Sequence, residues 1–307
     1  MITIPHKAKQ FAVFIIKLLI VSGAFYFIYH QLLDDDRLDW TKFVALVNEK
    51  QSVGGILFLL SFSVANRYLE ILKWQNLVSF LQPITVGESA KQVLGALTAG
   101  IFTPNGVGEY AGKALYFEKL NTKKVIFLNL ICNGIQMLLT VVFGTAGLII
   151  LGYWQWGLAI LGVMLSLLLA SFVSKRITVR GYSIEKLVRK INEIPKPIHH
   201  KNILYGVLRY LVFSHQYYFL FLAFDVDLPY VTMMASIAAV YFLASSLPSF
   251  QFLDFAVKGS MAVFFFGKLG VNEWIVVFIS TLMWFLNVVL PVVLGSYFVL
   301  KFKPKWN

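Results

Sequence analysis

Six stretches of this sequence are predominantly apolar over lengths near the roughly 20 residues that a helix needs to cross a bilayer core. They lie at about 11–33, 53–74, 125–152, 157–174, 202–224 and 273–300. No other feature limits the fold as tightly. The composition agrees: 58% of residues are hydrophobic, only 14% are charged and the mean hydropathy is +0.73, where a soluble domain is about a quarter charged. The expected fold is an all-α polytopic membrane protein, with 1–307 as a single transmembrane domain. The first run follows His6, Lys7 and Lys9 and is too long for the apolar core of a signal peptide. Val21-Ser22-Gly23-Ala24 is only faintly cleavage-like, so this run reads as an uncleaved first helix. The one cysteine, Cys132, lies in an apolar run, which excludes a disulfide framework and a cysteine metal site.

Two apolar regions are broken. In the first, Thr103-Pro104-Asn105-Gly106-Val107-Gly108-Glu109-Tyr110-Ala111-Gly112-Lys113 interrupts the stretch from about 88 to 120. In the second, Leu247-Pro248-Ser249-Phe250-Gln251-Phe252-Leu253-Asp254-Phe255-Ala256-Val257-Lys258 interrupts about 230–270. In each, an apolar run ends at Pro, an acid follows within six positions, and Lys comes four after the acid. Proline is tolerated in the first turn of a helix and disfavoured in its interior. Each stretch therefore reads as a helix, a break, and a new helix on which acid and Lys share a face and can pair.

Charge gives the orientation. The net charge of +12 would point to nucleic acid in a soluble chain. Here the placement of Lys and Arg is the better guide, and no nucleic-acid partner is expected. The N-terminus, the 119–124 turn, the 175–201 loop and the tail with Lys301, Lys303 and Lys305 are basic. The 34–52 stretch and the 225–229 turn are acidic. Six crossings with two dipping hairpins put every basic stretch, and both termini, on the cytoplasmic side of the membrane. Hairpins that span fully give the same parity. Within 175–201, Ile184, Leu187, Val188 and Ile191 trace one helical face among basic residues, ended by Pro195 and Pro197, as in an interfacial amphipathic helix. A solvated, orienting loop is the plainer reading, and it also suits His199 and His200.

The halves line up. Two segments, a broken pair and a third segment fill about 11–152, and the same order fills about 154–300. Three crossings per half invert the second relative to the first, so the expected plan is two inverted repeats, each with three transmembrane helices and one broken, re-entrant hairpin. In secondary transporters such paired breaks point to the binding site. Non-helical backbone at membrane depth must be buried in protein or line a wet cavity. A helix starting behind each Pro aims its unpaired N–H groups at the break, which favours an anion. The candidate substrate-binding residues are Pro104, Asn105, Gly106, Gly108, Glu109 and Lys113 in the first break, with Pro248, Asp254 and Lys258 in the second. Arg67, Glu70 and Arg209 join them as charged residues inside apolar segments, although Arg67 and Glu70 at i, i+3 also suit a structural ion pair. Asn129, Asn133 and Gln136 are placed to bond across helices. His215 reads as a packed, hydrogen-bonded residue. No Ser-His-Asp set, His/Cys metal spacing, P-loop or dinucleotide fingerprint is visible, so neither a cofactor nor a metal is expected.

Pro104-Asn105-Gly106-Val107-Gly108-Glu109, the distant Leu247-Pro248 and Trp284-x-x-Asn287-x-x-x-Pro291 resemble motifs of the lysylphosphatidylglycerol synthase transmembrane (flippase-like) family. That family includes the lipid-flipping half of multiple peptide resistance factors, and the likeness covers nearly the whole chain. The resemblance implies a stand-alone flippase that moves a phospholipid or lipid-linked headgroup between leaflets. The family's synthase activity resides in a soluble aminoacyl-transferase domain, and nothing after Asn307 provides one, so no lipid aminoacylation is expected. The second break departs from the family's Gly-rich form, carrying Phe-rich sequence and Asp254. Two other readings stay open: a non-transporting membrane scaffold or regulator of a separate envelope lipid enzyme, acting through the 175–201 loop, and an intramembrane transferase.

Overall fold

The computed structural model describes residues 52–103, 106–173, 183–247 and 251–303, with isolated positions at 11, 15 and 45. Nearly all of the expected first segment and of the acidic 34–52 stretch, the 175–182 part of the basic 175–201 loop, and Pro104, Asn105 and Pro248 lie outside the described residues. Those residues form ten helices and, among them, no strand. In chain order they are α1 Val53–Val78, α2 Val86–Gly100, α3 Val107–Ala114, α4 Thr122–Ile150, α5 Trp154–Val173, α6 Ile184–Asn192, α7 Lys196–Ala223, α8 Tyr230–Ser246, α9 Asp254–Lys268 and α10 Glu273–Leu300. Helix α10 contains one π-helical turn at Phe285–Val289. Among the described residues, four helical stretches are long and apolar enough to cross a membrane: Val53–Val78, Lys119–Ile150, Trp154–Phe172 and Glu273–Leu300. The described residues are thus all-helical and compatible with an integral membrane protein. Helix α7 has 28 residues but falls outside that set. Its tyrosines and basic first turns dilute its apolarity.

The ends of the helices follow local chemistry. Helix α2 opens on a reciprocal cap, in which Thr85 Oγ1 accepts from the Glu88 N–H and the Glu88 carboxylate accepts from the Thr85 N–H. Helix α7 starts six residues before the expected segment because Pro197 suits a first turn. The same proline, read in sequence only as a terminator, thus separates α6 from α7.

Burial is inverted relative to a soluble protein. Leu165, Leu167, Leu168, Leu169 and Phe172 of α5 are all more than half exposed, while Asn66, Glu70, Lys73, Glu109, Lys113 and Asn129 are buried. Apolar side chains that face lipid lose nothing by exposure, whereas polar ones must find partners inside the bundle. The main core lies among α7, α8, α9 and α10, around Tyr217, Phe221, Val240, Phe266 and Ile279. A second core packs the end of α1 against α2, α3 and α4, around Trp74, Val93, Phe117 and Leu128. The principal pairings are α1 with α7, α4 with α8, and α2 with α10. Within each broken region the two arms also pack together, α2 on α3 and α8 on α9.

Candidate functional site

Helix α1 carries Ser63, Asn66, Glu70, Lys73 and Trp74 at three- and four-residue spacing, so all face the bundle and all are buried. Opposite them, α7 presents Arg209 and, seven residues on, Gln216. The Glu70 carboxylate takes two guanidinium groups, pairing with Arg67 on its own helix and with Arg209 at 3.2 Å. Arg209 Nε also donates to Asn66 Oδ1 at 2.9 Å. Asn287 in the π turn of α10 closes the network. Its Oδ1 accepts from Asn66 Nδ2 at 2.7 Å and its Nδ2 donates to Gln216 Oε1 at 2.9 Å. Gln216 Nε2 in turn donates to Ser63 Oγ at 2.7 Å.

The π turn has a readable cause. In a regular helix the Asn287 carbonyl would accept from the N–H four residues on, but position 291 is Pro and has none. Arg67 Nη2 donates to that carbonyl at 2.6 Å instead. A widened turn of this kind is common at functional sites.

The first break sits beside this network. Helix α2 ends at Gly100, and Gly106 adopts φ +67°, a left-handed conformation that favours glycine, before α3 begins. Thr103 Oγ1 accepts from the Gly108 N–H at 2.8 Å, capping α3 from across the break. Glu109 lies in the first turn of α3, where the helix dipole favours a carboxylate. A Cβ at Gly100 would fall 2.7 Å from Glu109 Cγ and 2.9 Å from its backbone nitrogen. Only glycine therefore lets the two arms close at this point.

Glu109 and Lys113 do not form the i, i+4 ion pair that their spacing allows. Glu109 Oε1 accepts from Gln251 Nε2 at 3.0 Å. Lys113, fully buried, donates to Asn129 Oδ1 at 2.7 Å and rests 4.7 Å from the centre of the Trp74 ring. Tertiary partners outcompete the local one. In the second break the expected pair does form, with Lys258 donating to Asp254 at 2.5 Å and lying 5.1 Å from the Tyr241 ring. That pair is more accessible, with side-chain exposures of 27% and 22%. The breaks touch each other through the Gln251–Glu109 bond and the facing rings of Phe102 and Phe252.

Of the expected residues, Arg67, Glu70 and Arg209 are thus brought together, with Glu109 and Lys113 in electrostatic reach of Glu70. Asp254 and Lys258 bond to one another. Asn129 bonds Lys113 and Asn133 Nδ2 donates to Tyr110 at 3.3 Å, whereas the Gln136 amide has no partner among the described residues. Sequence reasoning missed Lys73, which is fully buried and continues the 66–70–73 spacing, a signal that was available. It also gave no role to Gln216 or Gln251. His215 donates from Nδ1 to the Leu211 carbonyl and accepts at Nε2 from Tyr230, tying α7 to α8. Among the described residues no three His, Cys, Asp or Glu side chains are grouped to hold a metal. No family model matches this chain, and neither does any curated protein.

Proposed function

We propose that this protein is a membrane lipid flippase, moving a phospholipid or lipid-linked headgroup between leaflets through a site where its two helix breaks meet. The observation that carries the proposal is the buried network of Arg67, Glu70, Arg209 and Asn287 beside the contact between Gln251 of one break and Glu109 of the other. Charged groups inside an apolar bundle are costly, and substrate pathways are where they are retained. Broken helices in matching positions of two halves add the second strand of support.

The proposal includes two inverted repeats with re-entrant hairpins at the midplane. Helix pairing supports it. Each broken pair's first arm packs on the last segment of the other half, α2 on α10 and α8 on α4. The central segments of the halves, α1 and α7, pack on each other. A two-fold relation in the membrane plane would generate that exchange. The sequence resemblance to the flippase-like family and the cytoplasmic placement of both termini belong to the same reading. In it the residues bind and orient the headgroup and carry out no covalent chemistry.

The test is leaflet exchange of fluorescent phospholipids in proteoliposomes. Glu109→Gln keeps the shape and the Gln251 contact but removes the charge. Exchange should fall at least about tenfold, the weight of one charge-assisted hydrogen bond, while insertion and helicity are unchanged. Wild-type exchange in that variant removes Glu109 from the pathway. If neutralising the basic residues of 175–201 abolishes cellular function while Glu109→Gln leaves it intact, the scaffold reading replaces this one.

A further inference from the structure

Basic side chains outnumber acidic ones around Glu70 among the described residues. Among the described residues, four basic groups, Arg67, Lys73, Lys113 and Arg209, stand in electrostatic reach of two acidic ones, Glu70 and Glu109. The described basic groups of the buried cluster thus outnumber its described acidic groups by two. Lys73 is the sharpest case. It is fully buried and its Nζ has no hydrogen-bond partner among the described residues. Its electrostatic neighbours are Glu70, Arg209, Lys113 and the Cys132 thiol. Arg67 Nε and Asn129 Nδ2 are likewise buried donors without an acceptor among the described residues. A buried ammonium or guanidinium N–H without an acceptor is strongly disfavoured, and such groups are normally paired. What these donors lack is an acceptor bearing negative charge.

We propose that Lys73, with Arg209 and Lys113 in electrostatic reach of it, forms a binding site for a phosphate-class anion, the acidic headgroup of the transported lipid. The inference rests on the flippase reading for its occupant and deepens it. It makes the site selective for headgroups with net negative charge. Guanidinium groups suit the forked oxygens of a phosphodiester, and an ammonium supplies a compact point charge beside them. Glu70 fixes both arginines and would repel a second anion, limiting the site to one phosphate.

Binding is measured apart from transport. Purified protein in detergent is titrated with phosphatidylglycerol, phosphatidylcholine, the cationic ethylphosphatidylcholine and inorganic phosphate, and lipid retention is read by native mass spectrometry. Phosphatidylglycerol should be retained at least about tenfold more tightly than the cationic lipid. Lys73→Met should abolish that preference and Lys73→Arg should keep it. The thermal stability of lipid-free Lys73→Met, equal to or above wild type, shows that the loss is not unfolding. Should that variant fail to fold, Lys73→Arg and the lipid ranking on wild type still decide. Competition by inorganic phosphate at equal strength supports the anion site and makes free phosphate its occupant. Equal retention of cationic and anionic lipids, or an unchanged preference in Lys73→Met, overturns the proposal. Anion-selective binding without leaflet exchange would leave this site standing and remove the flippase reading. Exchange with no charge preference would do the reverse.

Discussion

At the scale of single residues, Glu70 has the most to hold. It is the common partner of Arg67 and Arg209, all three partly or fully withdrawn from solvent. Removing one member of a buried pair leaves the others uncompensated, at a cost of roughly 3–5 kcal/mol. Glu70→Gln should therefore lower thermal stability sharply in detergent. Asp254→Asn breaks a single, more accessible pair and should cost no more than about 1 kcal/mol. Melting curves of the two variants side by side check the contrast, and similar losses would contradict it. The charged residues of this network were legible in the sequence because each interrupts an apolar run. Their partners were not. The i, i+4 rule describes an isolated helix, and in the bundle Lys113 finds Asn129 and Trp74 while Glu109 finds Gln251. Lys73 escaped notice because it stands at the end of its apolar segment, where a lysine reads as a flank.

At the scale of elements, periodicity and length located the helices well. The segment expected at 273–300 matches α10 to the residue, that at 53–74 lies within α1 Val53–Val78, and that at 125–152 starts six residues inside Lys119–Ile150 and runs two past its end. Both broken regions are divided where Pro and Gly placed the divisions. The π turn of α10 was not legible as such, although its cause, Pro291 four residues after Asn287, was in plain view. It converts a missing backbone donor into an acceptor for Arg67. Pro291→Ala restores the N–H that competes for that carbonyl. The variant should hold or gain thermal stability, since Ala suits a helix interior better than Pro, and lose leaflet exchange by roughly tenfold, about 1.4 kcal/mol in the barrier. Unaltered exchange in a stable variant would show that the turn serves packing alone.

At the scale of the whole molecule, the burial pattern and the helix pairing carry the account. Apolar side chains face outward along α5, charged ones gather where α1, α7 and α10 meet, and the two breaks close on each other beside them. The order of segments was readable from hydropathy, and the expectation of a repeat was drawn from that order. The contact between breaks 142 positions apart in the chain was reached only by symmetry, because no local rule specifies a tertiary partner. If that contact gates the pathway, holding it shut must stop movement of lipid. The most direct measurement places cysteines at Phe102 and Phe252, whose rings lie 6.2 Å apart, in a Cys132→Ala background. The two are joined by a short, reducible bifunctional reagent, and lipid exchange is followed in proteoliposomes. Exchange should stop when the link forms and return when it is reduced. Cross-linked protein that exchanges lipid at the uncross-linked rate would contradict the claim that lipid passes where the breaks meet.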